Sequence, residues 1–71
     1  MRKMKGVYML SQKIKEYREK AGLTQLQLAE AIGYERSTVA RWENGSLEPY
    51  ASVVKAIAEA LKISVAMLYD E

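Results

Sequence analysis

The 71-residue chain carries 11 Lys or Arg against 9 Asp or Glu, is 49% hydrophobic, and contains neither Cys nor His. This excludes disulfides, thiolate metal sites and His-based acid–base catalysis, and it leaves a zinc site without its usual ligands. One small domain of marginal core size must then be held by tight helix packing, by an oligomer, or by both.

The chain opens Met1-Arg2-Lys3-Met4-Lys5, like the basic start of a secretory signal. The apolar run that follows, Val7-Tyr8-Met9-Leu10, is too short for a signal core, which needs roughly 7–15 residues. No stretch approaches the roughly 18 apolar residues of a membrane span, so a cytoplasmic protein is expected. Residues 1–9 stay open between a flexible basic arm, an extension of the first helix and a start-site artefact. Residues 10–71 are expected to form the single domain.

Between Gly6 and Gly22, Leu10, Ile14 and Tyr17 recur at i, i+4 and i+7. That spacing predicts an amphipathic helix with Lys13, Lys15, Glu16 and Lys20 outside. Ser11 is its expected N-cap and Gly22 its C′ residue. Thr24-Gln25-Leu26-Gln27 has the form of a capping box, opening a short helix from Gln25 to Ile32 that Gly33 ends. The next helix runs from Arg36 to about Asn44 and stops at Gly45. After Pro49 an Ala-rich helix places Val53, Val54, Ile57, Ala58 and Leu61 on one face. Ser64 caps a last short helix expected to turn Val65, Leu68 and Tyr69 inward. The fold class is all-α, a compact five-helix domain.

Helix, short turn, helix at 25–43 is the geometry of a helix-turn-helix. Its steep, close crossing calls for a small side chain where the helices touch, and Ala29 fits. The turn needs a residue tolerant of positive φ, which Gly33 supplies. Leu28 and Ile32 on the first helix, with Val39 and Trp42 on the second, point inward. Arg36, Ser37, Ala40 and Arg41 are left as the outer face.

Gly22-Leu23-Thr24-Gln25, Leu28-Ala29, Gly33, Arg36-Ser37-Thr38-Val39 and Trp42-Glu43-Asn44-Gly45 together resemble the lambda-repressor-like DNA-binding domains of Cro/C1 (XRE) type. Pro49, Val53, Val54, Ile57, Ala58, Leu61, Ile63, Ser64 and Leu68 continue the pattern, so the resemblance covers roughly residues 10–69. It implies a recognition helix, 36–43, laid in the major groove of double-stranded DNA. Arg36, Ser37 and Arg41 then occupy base-reading positions, and an arginine fork suits guanine O6 and N7. Gln25, at a helix start that favours anions, is implied as a phosphate contact. Thr38, Asn44 and Ser46 are further implied backbone contacts. Arg18 and Glu43 match positions where the family often sets a partly buried ion pair joining the first helix to the end of the recognition helix.

There are departures from the family pattern. Glu35 stands where Ser or Thr is common, so it either turns away from DNA or accepts from a cytosine amine. Tyr50 replaces the usual polar cap after the proline, and Tyr34 is bulky for the turn and is read as a partly exposed, DNA-proximal group.

The resulting expectation is a transcriptional regulator, acting as a repressor, with no metal, no cofactor and no catalysis. The chain has no Gly-x-Gly-x-x-Gly, no P-loop and no pair of carboxylates in an obvious cleft. One small head reads too few base pairs to be selective, so a homodimer on a palindrome is expected, with half-sites about one helical turn apart. Ile63, Val65, Met67, Leu68 and Tyr69 give more apolar residues than one short helix can hide and are the expected dimer surface. With no effector domain expected in this length, regulation falls to concentration, competition or a partner protein. The competing reading is an antitoxin-like protein-interaction module in which DNA binding is secondary.

The net charge of +2 conceals a gradient. Residues 1–20 carry seven basic and two acidic groups, residues 21–42 two of each, and residues 43–71 two basic against five acidic.

Overall fold

Thr24 and Gln27 open the second helix as their spacing predicts. The Thr24 hydroxyl accepts from the Gln27 N–H at 3.0 Å, and the Gln27 side chain accepts from the Thr24 N–H at 2.8 Å. Such local rules place most of the boundaries. The computed structural model describes residues 7–69, and among these it has five helices and no strand: α1 (Val7–Lys20), α2 (Gln25–Ile32), α3 (Arg36–Glu43), α4 (Ala51–Leu61) and α5 (Val65–Tyr69). None of them is long and apolar enough to cross a membrane.

α1 begins at Val7, so residues 7–9 extend the first helix and Ser11 lies inside it rather than capping it. Ser11 is buried, and a Cβ placed on Gly45 would come within 3.8 Å of its hydroxyl. The loop after α3 thus lies against α1 at ordinary contact distance, and the demand for glycine at position 45 comes from its positive φ of 82°. Residues 1–6 and 70–71 lie outside the described residues, and with them most of the expected basic arm.

α2 packs on α3 and α4, while α1 packs on α3, α4 and α5. The core between them contains Leu10 and Ile14 of α1, Leu28 and Ala29 of α2, Val39 and Trp42 of α3, the inner face of α4, and Leu68. Every apolar position assigned to the α4 face is buried.

Two expectations at the C-terminal end need correction. Leu68 is fully buried in the core of a single subunit, so it has no surface to offer a second copy. Val65 and Tyr69 do not turn inward; they are 38% and 46% exposed, with Met67 beside them at 38%. Val65, Leu68 and Tyr69 share one face of this five-residue helix, and of the three only Leu68 is buried in the core. Ile63 is half-buried against the core. Ser64 does cap α5, accepting from the Met67 N–H at 3.3 Å.

α1, α2 and α3 are each followed by a glycine at positive φ (77°, 82° and 82°), whereas α4 ends on Lys62 at φ 61°. The Lys62 and Ile63 N–H groups close that end on Glu59 and Ala58 carbonyls at 3.2 and 3.0 Å. A Cβ is disfavoured in this region. Lys62→Gly is therefore expected to stabilise the domain by about 0.5–1 kcal/mol and to raise its thermal midpoint by several degrees. A lowered midpoint in a thermal melt would overturn this.

Candidate nucleic-acid interface

The helix pair α2–α3 is held by local chemistry and by the core. Ala29 is fully buried at the crossing. Its carbonyl accepts from both the Gly33 and Tyr34 N–H groups at 2.9 Å, which turns the chain from α2 towards α3. Tyr34 is partly exposed and meets Trp42 edge-on, with ring centroids 5.1 Å apart and planes inclined by 63°. Trp42 is almost wholly buried, a core residue that also anchors the turn.

With Val39 and Trp42 inward, α3 leaves Arg36, Ser37 and Arg41 exposed and Ala40 half-buried. Glu35 stands at the N-cap without a side-chain cap bond and is exposed. Thr38 is half-buried on the other flank, lining a hollow of about 250 Å³ with Tyr34, Trp42 and Tyr50. It is thus set apart from Gln25 and Asn44. Tyr50 makes no cap bond and is 80% exposed.

Arg18 ties three elements together. Its Nε and Nη2 donate to the two Glu43 carboxylate oxygens at 2.6 and 3.0 Å, and its Nη1 donates to the Leu23 carbonyl at 2.7 Å. Both side chains are largely buried, 10% and 4% exposed. Hydrogen bonding to Glu43 raises the Arg18 pKa above its usual value, against desolvation, which lowers it. A cation whose folded pKa is raised contributes its full stabilisation below the unfolded value, so Arg18 stays charged through neutral and mildly alkaline pH.

The network continues outward in a way the residue spacing does not reveal. Gln25 Nε2 donates to Glu43 Oε1 at 3.1 Å, and Gln25 Oε1 accepts from Arg36 Nη1 at 3.1 Å. A chain of bonds thus joins the buried ion pair, the start of α2 and the first residue of α3. These partners are 25, 18 and 11 residues apart in sequence. Among the described residues the Arg41 guanidinium has no such restraint.

Beyond α3, Asn44 Oδ1 accepts from the Ser46 N–H at 2.9 Å, and the Ser46 hydroxyl donates to the Arg41 carbonyl at 3.4 Å. Asn44 and Ser46 therefore shape the loop and also stand exposed beside the end of α3. Among the described residues no cluster of acidic groups converges to hold a metal ion.

A family model described as Helix-turn-helix matches residues 14–68. The immunity repressor protein of Bacillus phage phi105 is 39% identical over 62 residues, covering 87% of this chain and 43% of the repressor. The restriction-modification controller protein C.AhdI from Aeromonas hydrophila has the same fold at a TM-score of 0.84 and 30% identity, over 89% of this chain and 96% of the controller. Hydroxypropylphosphonic acid epoxidase from S. wedmorenis also contains it, at a TM-score of 0.85 and 28% identity, over 94% of this chain and 36% of that one. The chain thus spans less than half the length of the phage repressor and of the epoxidase, and nearly all of the controller.

Proposed function

The chain belongs to the Cro/C1-type helix-turn-helix family, and on that premise we propose that it is a sequence-specific double-stranded DNA-binding transcriptional regulator, a repressor, without catalytic activity. α3 reads the major groove through Arg36, Ser37 and Arg41, while Gln25, Asn44 and Ser46 meet the backbone and Glu35 and Thr38 border the contact. The observation that carries this reading is the bonded chain Arg18–Glu43–Gln25–Arg36, which fixes an exposed arginine and a helix start on one rigid frame. Rigid placement of donors is what base-edge recognition requires. The similarity to a phage immunity repressor and to a restriction-modification controller points the same way.

Two copies related by a two-fold axis supply enough base contacts for selectivity, with Val65, Met67 and Tyr69 as the apolar surface between them and Ile63 at its edge. A cytoplasmic location, with access to DNA, belongs to the same reading.

Selection of binding sites from random duplexes tests the reading. A palindrome with half-sites about one helical turn apart is expected. Affinity for it should fall steeply with salt, by several units of log–log slope. Arg41→Ala relaxes preference at one position per half-site, whereas Gln25→Ala weakens binding to all sequences and also loosens the preference read by Arg36, whose guanidinium it holds. No selected sequence, or a flat salt response, leaves the protein-interaction reading in its place.

A further inference from the structure

The hollow of about 250 Å³ on the Thr38 flank of α3 has aromatic walls. Tyr34 and Trp42 meet there at an inclination of 63°, so their rings form a corner rather than a stack. Tyr50 is the third ring, and buried Pro49 lies beside it. Glu48 is the only charged residue of the lining, to which no Lys or Arg contributes.

Neither Tyr50 nor Glu48 has a task in the fold or in the DNA contact. Tyr50 is too exposed to add much to the core, and its side chain makes no cap bond. Glu48 is exposed and makes no ion pair among the described residues. It stands two residues after Ser46, a proposed backbone contact, where a carboxylate opposes phosphate. The hollow therefore combines ring surface with an unpaired negative charge.

We propose that this hollow binds a small organic cation of the quaternary ammonium class, held by the rings of Tyr34, Trp42 and Tyr50 and balanced by Glu48. The face of an aromatic ring attracts a cation within about 6 Å of its centre, tryptophan most strongly. A quaternary ammonium has no N–H to donate, so ring surface and a counter-charge are what it needs. An anion is repelled by Glu48, and a neutral ligand leaves that carboxylate unpaired. The start of α4 adjoins the hollow and disfavours a cation with a partial charge of about +0.5, which the full charge of Glu48 outweighs. The volume falls below the roughly 300–1,000 Å³ of pockets for larger ligands, which suits a trimethylammonium head. The inference does not depend on the DNA-binding function proposed above.

The test titrates the chain, without DNA and at constant ionic strength, with choline and with its uncharged isostere in which carbon replaces the ammonium nitrogen. Trp42 is the only tryptophan, so its emission reports the hollow, and backbone amide shifts in a nitrogen–proton correlation spectrum locate the change. The expected result is saturable binding of choline, with the largest shifts at Tyr34, Trp42 and Tyr50, and the isostere bound roughly 2–30-fold more weakly. Glu48→Gln and Tyr50→Ala each weaken choline by a similar factor at an unchanged thermal midpoint, while Tyr50→Phe keeps the parent affinity. Glu59→Gln, a charge change on the exposed side of α4, also keeps it. Saturation in neither readout overturns the assignment. Equal affinity for the isostere overturns it too, since the hollow would then be merely apolar. So does full affinity in Glu48→Gln or Tyr50→Ala, or a loss in Glu59→Gln equal to that in Glu48→Gln, which would mean bulk attraction.

Discussion

Arg18→Ala is expected to cost about 3–5 kcal/mol of stability, because it strands a buried carboxylate rather than merely deleting a contact. Glu43 would keep only the Gln25 amide, and the Leu23 carbonyl would lose its donor. For a domain of this size the thermal midpoint should fall by at least roughly 12 °C. The consequence extends to the interface, since Gln25 donates to that carboxylate and Arg36 in turn donates to Gln25. A second variant separates the two effects. Arg18→Met combined with Glu43→Leu removes both charges, and apolar replacement of a buried pair is often neutral or stabilising. Its melting temperature should return near that of the parent chain while affinity for DNA stays low, because Gln25 has lost its acceptor. A thermal melt and a DNA titration on both variants read the outcome. An unchanged midpoint and affinity in Arg18→Ala would remove the network from the account.

Leu68→Ala should lower stability by about 2–5 kcal/mol through lost burial and the cavity left behind. Leu68 has no exposed surface, and its helix packs on both α1 and α4. The loss should therefore be independent of protein concentration. Met67→Lys provides the contrast. Met67 is partly exposed one residue away, so a charge there should weaken association of two copies while leaving the unfolding of each nearly unchanged. Melting and sedimentation across a concentration series distinguish the two. If Leu68→Ala melts like the parent chain but fails to associate, the placement of Leu68 in the core is wrong.

Much of this architecture was legible where a short-range rule governs it. The Thr24–Gln27 reciprocal cap, the positive-φ ends at Gly22 and Gly33, and the buried stripe of α4 all follow from spacings of one turn or less. The errors fall where the deciding partner is distant. Ser11 has the chemistry of an N-cap, yet α1 starts at Val7 and runs through it, with Ser11 itself and Leu10 buried. Lys62 adopts a glycine-like conformation because α4 must end there for α5 to lie on α1. In α5 a five-residue helix is too short for periodicity to separate inward from outward: the spacing predicts Val65 and Tyr69 inward, and both are exposed. At the interface, the exposed face of α3 was readable from which residues the core claims. The bonds from Gln25 to Glu43 and Arg36 were not, since they depend on where three separate elements meet.

Arg36 and Arg41 share a helix but differ in how much freedom each keeps. A guanidinium side chain carries about 2 kcal/mol of rotamer entropy. Arg36, bonded to Gln25, gives up part of that when the chain folds. Arg41 keeps its own until a partner orders it. Part of the ordering that recognition demands is thus already met by folding at one end of the helix, and the whole of it remains to be met on binding at the other.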